Sequence, residues 1–176
     1  MFLKGKNISI MALEPSDADI LYRWENNHSL WEVSFTQTPF SKAVLDEFVN
    51  TAYQDIYTNK QLRLMVNKAD TNETIGIVDL FEFEPQHARC GLGIYIHDNY
   101  RGNGFALECI ELIKFYAFGT LHLKQIYVNV NQSNSASLSL FEKAGFEKCG
   151  LKKAWHKKGI DSFEDVWFLQ LINTGV

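Results

Sequence analysis

Cysteine is scarce in this chain and scattered. Cys90, Cys109 and Cys149 are odd in number, far apart and without any CxxC spacing, which argues against a disulfide framework or a zinc knuckle. The five histidines show no HxxxH-like ligand spacing, so no metal is expected. Long apolar runs are missing too: none reaches the roughly 18 residues a membrane span requires. The first stretch, MFLKGKNISIMAL, carries lysines, but no extended apolar region or small-residue cleavage site follows. It reads as a first strand, which predicts a cytoplasmic protein with no membrane partner. Basic excess is also absent. Lys and Arg number 17 against 21 Asp and Glu, a formal charge of −4. A nucleic-acid partner, which needs a basic face, is therefore not expected, while a cationic substrate is compatible.

What remains is ample material for a core. Of 176 residues, 46% are hydrophobic and 22% charged, and with a mean hydropathy of −0.17 the chain fits one compact domain over residues 1–176 rather than a disordered segment. Asn7–Leu13 reads as a strand. Pro15 and the Ser16/Asp19 spacing open a helix that ends near Glu25–Asn27. SKAVLDEFVNTAYQDIY repeats apolar pairs every four residues and predicts one amphipathic helix. QLRLMVNK, TIGIVDLFEFE and ARCGLGIYIHD are three strands, the first two a hairpin across DTNE. A helix follows RGNGFA, then strand KQIYVNVN, then helix NSASLSLFEKAGF, stopped by Gly145. A hairpin turning around Lys157–Asp161 closes the chain. The order β-α-α-β-β-β-α-β-α-β-β predicts a mixed α/β (α+β) sheet.

Arg101-Gly102-Asn103-Gly104 lies between a strand and the apolar helix stripe Ala106, Ile110, Ile113 and Ala117. No GxxxxGK[ST] occurs, and Leu107 stands where GxGxxG needs its third glycine. The remaining phosphate device is a helix N-terminus, whose first N–H groups lack internal partners and whose dipole favours an anion. Glycines let an anion approach the backbone, and Arg101 adds a donor fork. A plain glycine-rich turn with Arg101 in a surface ion pair fits the same residues.

In combination with a second motif the sequence resembles the GNAT superfamily of acetyl-CoA-dependent N-acetyltransferases. The [R/Q]-x-x-G-x-[G/A] motif corresponds to Arg101–Ala106 after LGIYI. An Asn-x-x-[Ser/Ala] motif leading to a helix ending Lys-x-Gly-Phe corresponds to Asn134–Ser137 and Lys143–Phe146. Nearly the whole chain is covered, nearest to bacterial spermidine/diamine and ribosomal-protein acetyltransferases. The resemblance implies a sheet splayed between its fourth and fifth strands, with Gly91 and Gly93 near the bulge. Ile94, Tyr95 and Ile96 would pair with the pantetheine arm. Arg101, Gly102, Asn103, Gly104, Phe105 and Ala106 would hold the pyrophosphate, and Asn134, Phe141 and Lys143 would complete the acetyl-CoA site. No metal or other cofactor is implied, and homo-oligomers are common among relatives.

Acetyl transfer needs a neutral amine, a polarised carbonyl and a protonated leaving thiolate. An N–H near Tyr95 or Ile96 would polarise the carbonyl. Glu82 is the first candidate base and Asp79 the second, with Glu82 and Glu84 on one strand face unless a bulge intervenes. Many relatives place a tyrosine acid seven positions after the motif asparagine, where this chain has Phe141. Ser137, Ser139, Tyr127, Tyr95 and water remain candidates for the acid. Trp31, Glu32 and Glu84 are expected at the acceptor. The acceptor reads as a primary amine, a small polyamine or diamine slightly ahead of a peptide N-terminus. A CoA-binding module without catalysis is the rival class.

Overall fold

The computed structural model describes residues 3–27, 31, 36, 38–51 and 55–175. Strands β1 (Leu3–Lys4) and β2 (Ile8–Ala12) lead into helix α1 (Ala18–Glu25), followed by α2 (Lys42–Thr51) and the single turn α3 (Ile56–Asn59). Then come β3 (Leu62–Lys68), β4 (Thr74–Glu84), β5 (Arg89–Ile96), α4 (Phe105–Phe115), β6 (Gln125–Asn131), α5 (Ser135–Lys143), β7 (Glu147–Lys157) and β8 (Phe163–Ile172). All eight strands form one sheet, ordered β1-β2-β3-β4-β5-β6-β8-β7. Every neighbouring pair is antiparallel except β5 with β6.

Strand alternation sorts the side chains onto two covered faces. Val66, Val78, Leu80, Ile126 and Val128 pack against Ile110, Ile113 and Ala117 of α4 and its π-helical continuation, and against Leu138 and Phe141 of α5. The anticipated stripe on α4 is thus core-facing. On the opposite face, Met65 and Ile77 meet Leu21 and Trp24 of α1 and Val49 of α2. At the end of α5, Gly145 adopts φ 92°, and the Phe146 N–H donates to the Phe141 carbonyl at 2.9 Å. That closure brings the two phenyl rings within 5.2 Å, as the GF signal predicts.

Three local expectations need correction. The helix expected over residues 41–57 is not continuous: Asp55 is extended and caps α3 by accepting the Thr58 N–H at 2.9 Å. A capping aspartate competes for the backbone in a way that apolar periodicity does not register. The reciprocal cap before α1 belongs to Glu14 and Asp17, not to Ser16 and Asp19. Asp19 instead pairs with Lys42 at 2.7 Å, joining α1 to α2. Finally, the bulge lies on β4, where the register with β5 shifts between Phe81 and Glu84.

Two polar clamps hold helices to the sheet. The Glu108 carboxylate, in the first turn of α4, accepts the Asn7 backbone and side-chain N–H groups, both at 2.8 Å. Burial pushes its pKa up, but the bonds from Asn7 and Ile8 outweigh that and leave it below the usual carboxylate range. On the other face Arg63 of β3 binds both Asp79 oxygens at 2.8 Å and Glu25 of α1 at 2.5 Å. The three side chains are only 14–18% exposed. Burial disfavours the guanidinium charge, yet Asp79 and Glu25 outweigh it and raise its pKa.

Arg63→Ala would leave two desolvated carboxylates without their cation. A stability loss of about 3 kcal/mol is expected in urea unfolding at pH 7. Glu108→Gln should cost about 1 kcal/mol at pH 7. A depressed folded-state pKa contributes stability above the unfolded value of 4.5 that is lost as pH falls. The gap between wild type and Glu108→Gln in unfolding midpoint should therefore close below pH 4.5.

Candidate active site

β5 and β6 stay paired for three positions only, Arg89 with Gln125, Cys90 with Ile126 and Gly91 with Tyr127. Beyond Gly91 the strands part, and β5 runs on to Ile96 laddered by β4 alone. At a strand rise of about 3.3 Å per residue, the wedge from Gly91 to Ile96 is about 16 Å long. Its β5 wall offers unpaired backbone groups that an extended amide-bearing ligand can meet as an added strand.

The wide end of the wedge leads to the Arg101–Ala106 turn. Gly102 and Gly104 take φ of 79° and 80°, a conformation that favours glycine, and a Cβ on either would meet nothing within 4 Å. Gly104 is the N-cap of α4, and no side chain caps that end. Among the described residues, the N–H groups of Gly102 through Leu107 donate no hydrogen bond to the protein. They form a concave set of donors at the positive end of the helix dipole, suited to a pyrophosphate. Asn103 closes the turn through its side-chain amide, which donates to the Tyr100 and Arg101 carbonyls at 3.1 and 3.2 Å. Arg101 does not extend its fork into this cradle. Its Nε donates to the Ile96 carbonyl at 3.0 Å, its Nη2 pairs with Asp98 at 2.9 Å, and it lies over the Tyr95 ring. The unengaged donors of this turn are therefore backbone groups.

Other expected donor contacts divide. Asn134 caps α5, its Oδ1 accepting the Ser137 N–H at 3.0 Å, which leaves its amide nitrogen available beside the wedge. Ile94 is half-buried, Ile96 is core, and Tyr95 turns to the other face against Trp24 at 5.4 Å. Phe141 is 5% exposed and packs within the core, so it fills volume rather than touching a ligand. Lys143 is exposed on the last turn of α5, at the opposite end of that helix from Asn134.

The narrow end carries the titratable groups. Glu82 sits in the β4 bulge with φ 47°, a region that non-glycine residues enter at a cost and that is concentrated at functional positions. The bulge breaks the alternation that would have put Glu82 and Glu84 side by side. Glu84 pairs with Arg89 at 2.9 Å instead. Glu82 accepts a hydrogen bond from the Tyr127 hydroxyl, and among the described residues it has no cationic partner. Burial, followed by the Glu82 carboxylate, pushes the Tyr127 phenol well above its usual range. Phe81 approaches the Tyr127 ring edge-on, and Phe168 lies on its other side at 5.5 Å. The Phe81 ring also covers Gly91, where any Cβ would overlap it.

Asp79 loses the basic role expected for it, since both its oxygens are fixed by Arg63. Glu25 shares that arginine. Trp31 is half-buried and donates its indole N–H to the Glu25 carbonyl at 2.7 Å, while Glu32 lies outside the described residues. Ser137 lies in the first turn of α5, and its backbone N–H donates to Asn134 Oδ1. The sequence reading underrated one line of residues. Tyr127, Asn129 and Asn131 alternate with the buried Ile126, Val128 and Val130, so they share a polar face. There Lys152 binds Asn129 at 2.8 Å, and His156 contacts Asn131 at 2.7 Å. The alternation of QIYVNVN was the available signal.

The model of the acetyltransferase (GNAT) domain family matches residues 7–147. The chain is 30% identical over 146 residues to spermidine N(1)-acetyltransferase of Vibrio cholerae, covering 83% of this chain and 82% of that one. It is 27% identical over 140 residues to the Escherichia coli K12 spermidine N(1)-acetyltransferase, covering 80% and 73%. The crystal structure of the Vibrio cholerae enzyme in complex with CoA and spermine superimposes with a TM-score of 0.84 over 96% of both chains at 27% identity. A splayed parallel seam, a turn of unengaged backbone N–H groups at its wide end and a carboxylate at its vertex accompany this similarity along most of the chain, and the protein belongs to the GNAT family of N-acetyltransferases, whose acetyl donor is acetyl-CoA.

Proposed function

We propose that the protein transfers the acetyl group of acetyl-CoA to a small di- or polyamine, with Glu82 as the general base. The observation that carries this reading is Glu82 itself, held on a strained bulge beside the point where β5 and β6 part, without a neutralising cation among the described residues. The diphosphate of the donor lies on the Gly102–Ala106 amides, and the pantetheine arm follows Ile94–Ile96 toward that point. The acceptor amine enters from the face that carries Phe81, Tyr127 and Phe168. It arrives protonated at neutral pH, and Glu82, directly or through one water, takes the proton that must leave before nitrogen can attack. A β5 backbone N–H polarises the thioester carbonyl. The choice of a polyamine rests on the two spermidine-acetylating relatives and on the cationic character an exposed carboxylate selects. With Asp79, Glu25 and Glu84 all paired to arginines, Glu82 is the carboxylate without a cationic partner at the vertex among the described residues.

Thiol release from acetyl-CoA is expected with spermidine or a simple diamine and to be much weaker with short peptides bearing a free N-terminus. The reverse ranking, or no release with any amine, would refute the acceptor assignment. Glu82→Gln should lower kcat by about 10²-fold or more, the usual contribution of a positioned base, while thermal-shift titration still shows acetyl-CoA binding. Gly104→Glu places an anion in the phosphate cradle and forces a side chain onto φ 80°. Its affinity for acetyl-CoA should fall at least tenfold, about 1.4 kcal/mol, and unchanged affinity would remove the cradle from the donor site.

A further inference from the structure

We infer that Tyr127 is the acid that protonates the departing thiolate, and that it is recharged by Glu82. Four observations converge on it. Tyr127 occupies the last paired position before β5 and β6 part, which is where a donor lying along the wedge ends. Its hydroxyl is bound to Glu82, the carboxylate assigned the amine proton, so the two groups already form one proton path. Its ring is held from two sides by Phe81 and Phe168, which fixes the hydroxyl without closing it off, for the ring is only half-buried. The α5 helix along the other wall of the wedge offers no phenol, because Phe141 lies in the core. A phenol holds its proton at neutral pH; burial strengthens that hold, and the bond to the Glu82 carboxylate tightens it further until the carboxylate is neutralised.

The inference rests on the Glu82 reading above, and the protons balance through the pair. Glu82, having passed the ammonium proton on to solvent, removes the second nitrogen proton as the carbon–nitrogen bond forms. The Tyr127 hydroxyl, released from its bond to the now neutral Glu82, turns to the sulfur and gives up its proton as the carbon–sulfur bond breaks. The Glu82 carboxyl then donates its proton to the phenolate, and both groups return to their starting state. Counted from the ammonium, one proton goes from nitrogen to solvent and one from nitrogen to sulfur, with no other reactant.

Tyr127→Phe keeps the ring between Phe81 and Phe168 and removes only the hydroxyl. With acetyl-CoA its kcat should fall about 10²-fold, in the range for loss of a positioned acid, with KM within about twofold. With p-nitrophenyl acetate as donor, whose leaving group needs no proton, the same variant should retain nearly the wild-type rate. A comparable loss with both donors would assign Tyr127 a merely structural part, and an unchanged kcat with acetyl-CoA would refute the inference outright. Glu82→Gln assayed beside it keeps the two ideas separate. Loss in Glu82→Gln without loss in Tyr127→Phe overturns the acid and leaves the base standing. Donor-selective loss in Tyr127→Phe with an active Glu82→Gln supports the acid and removes the base. Should the phenylalanine variant fold poorly, 3-fluorotyrosine at position 127 replaces it. A more acidic phenol should shift the alkaline limb of kcat to lower pH, and an unmoved limb would count against Tyr127.

Discussion

The site depends on a contest between sheet partners. β5 is bound to β4 through seven registered antiparallel positions, and β6 to β8 through another seven. The parallel seam between them holds for three. Antiparallel ladders are somewhat more stable per residue, and neighbouring strands twist relative to one another. Each strand therefore follows its antiparallel partner, and the seam opens. The result is a gap within an otherwise continuous sheet, lined by backbone that needs no side-chain specificity to bind an amide-bearing arm. Both helices that frame it, α4 and α5, are anchored in the same apolar cluster, so the gap stays open because its walls are core.

The carboxylates nearest the site are mostly held in ion pairs, with Arg63 alone satisfying Asp79 and Glu25 and Arg89 pairing with Glu84. Removing those carboxylates from the acceptor face leaves Glu82, which the bulge turns toward Tyr127 instead of toward Glu84. One irregular residue in β4 thus does two things. It breaks the register with β5 opposite Gly91, and it delivers a carboxylate to the vertex that the open seam creates.

Lys152 and the amides of Asn129 and Asn131 extend the polar face beyond Tyr127. A lysine there, resting over the Trp155 and Phe168 rings, places a positive charge beside the acceptor approach. Along this face the negative charge of Glu82 and the positive charge of Lys152 are thus set apart.

The strand and helix order was legible in the sequence because periodicity and punctuation are local. Alternating apolar residues, the GF stop after α5 and the glycine turn before α4 each act over a few positions. The glycine-built start of α4 was legible for the same reason, since a helix N-terminus is built from consecutive backbone groups. The division of the carboxylates was not, because it depends on which strand neighbours which. Asp79 is paired because β3 brings Arg63 beside it, and Glu82 leaves the regular face because β4 bulges against β5. Asp55 ends a helix that apolar spacing alone would carry through. By itself, then, the amino-acid order determined the fold class and the glycine turn that opens α4, both written in neighbouring residues. Tertiary structure alone decided which carboxylate and which hydroxyl meet at the vertex, because that choice is made by contacts between residues as far apart in the chain as Glu82 and Tyr127.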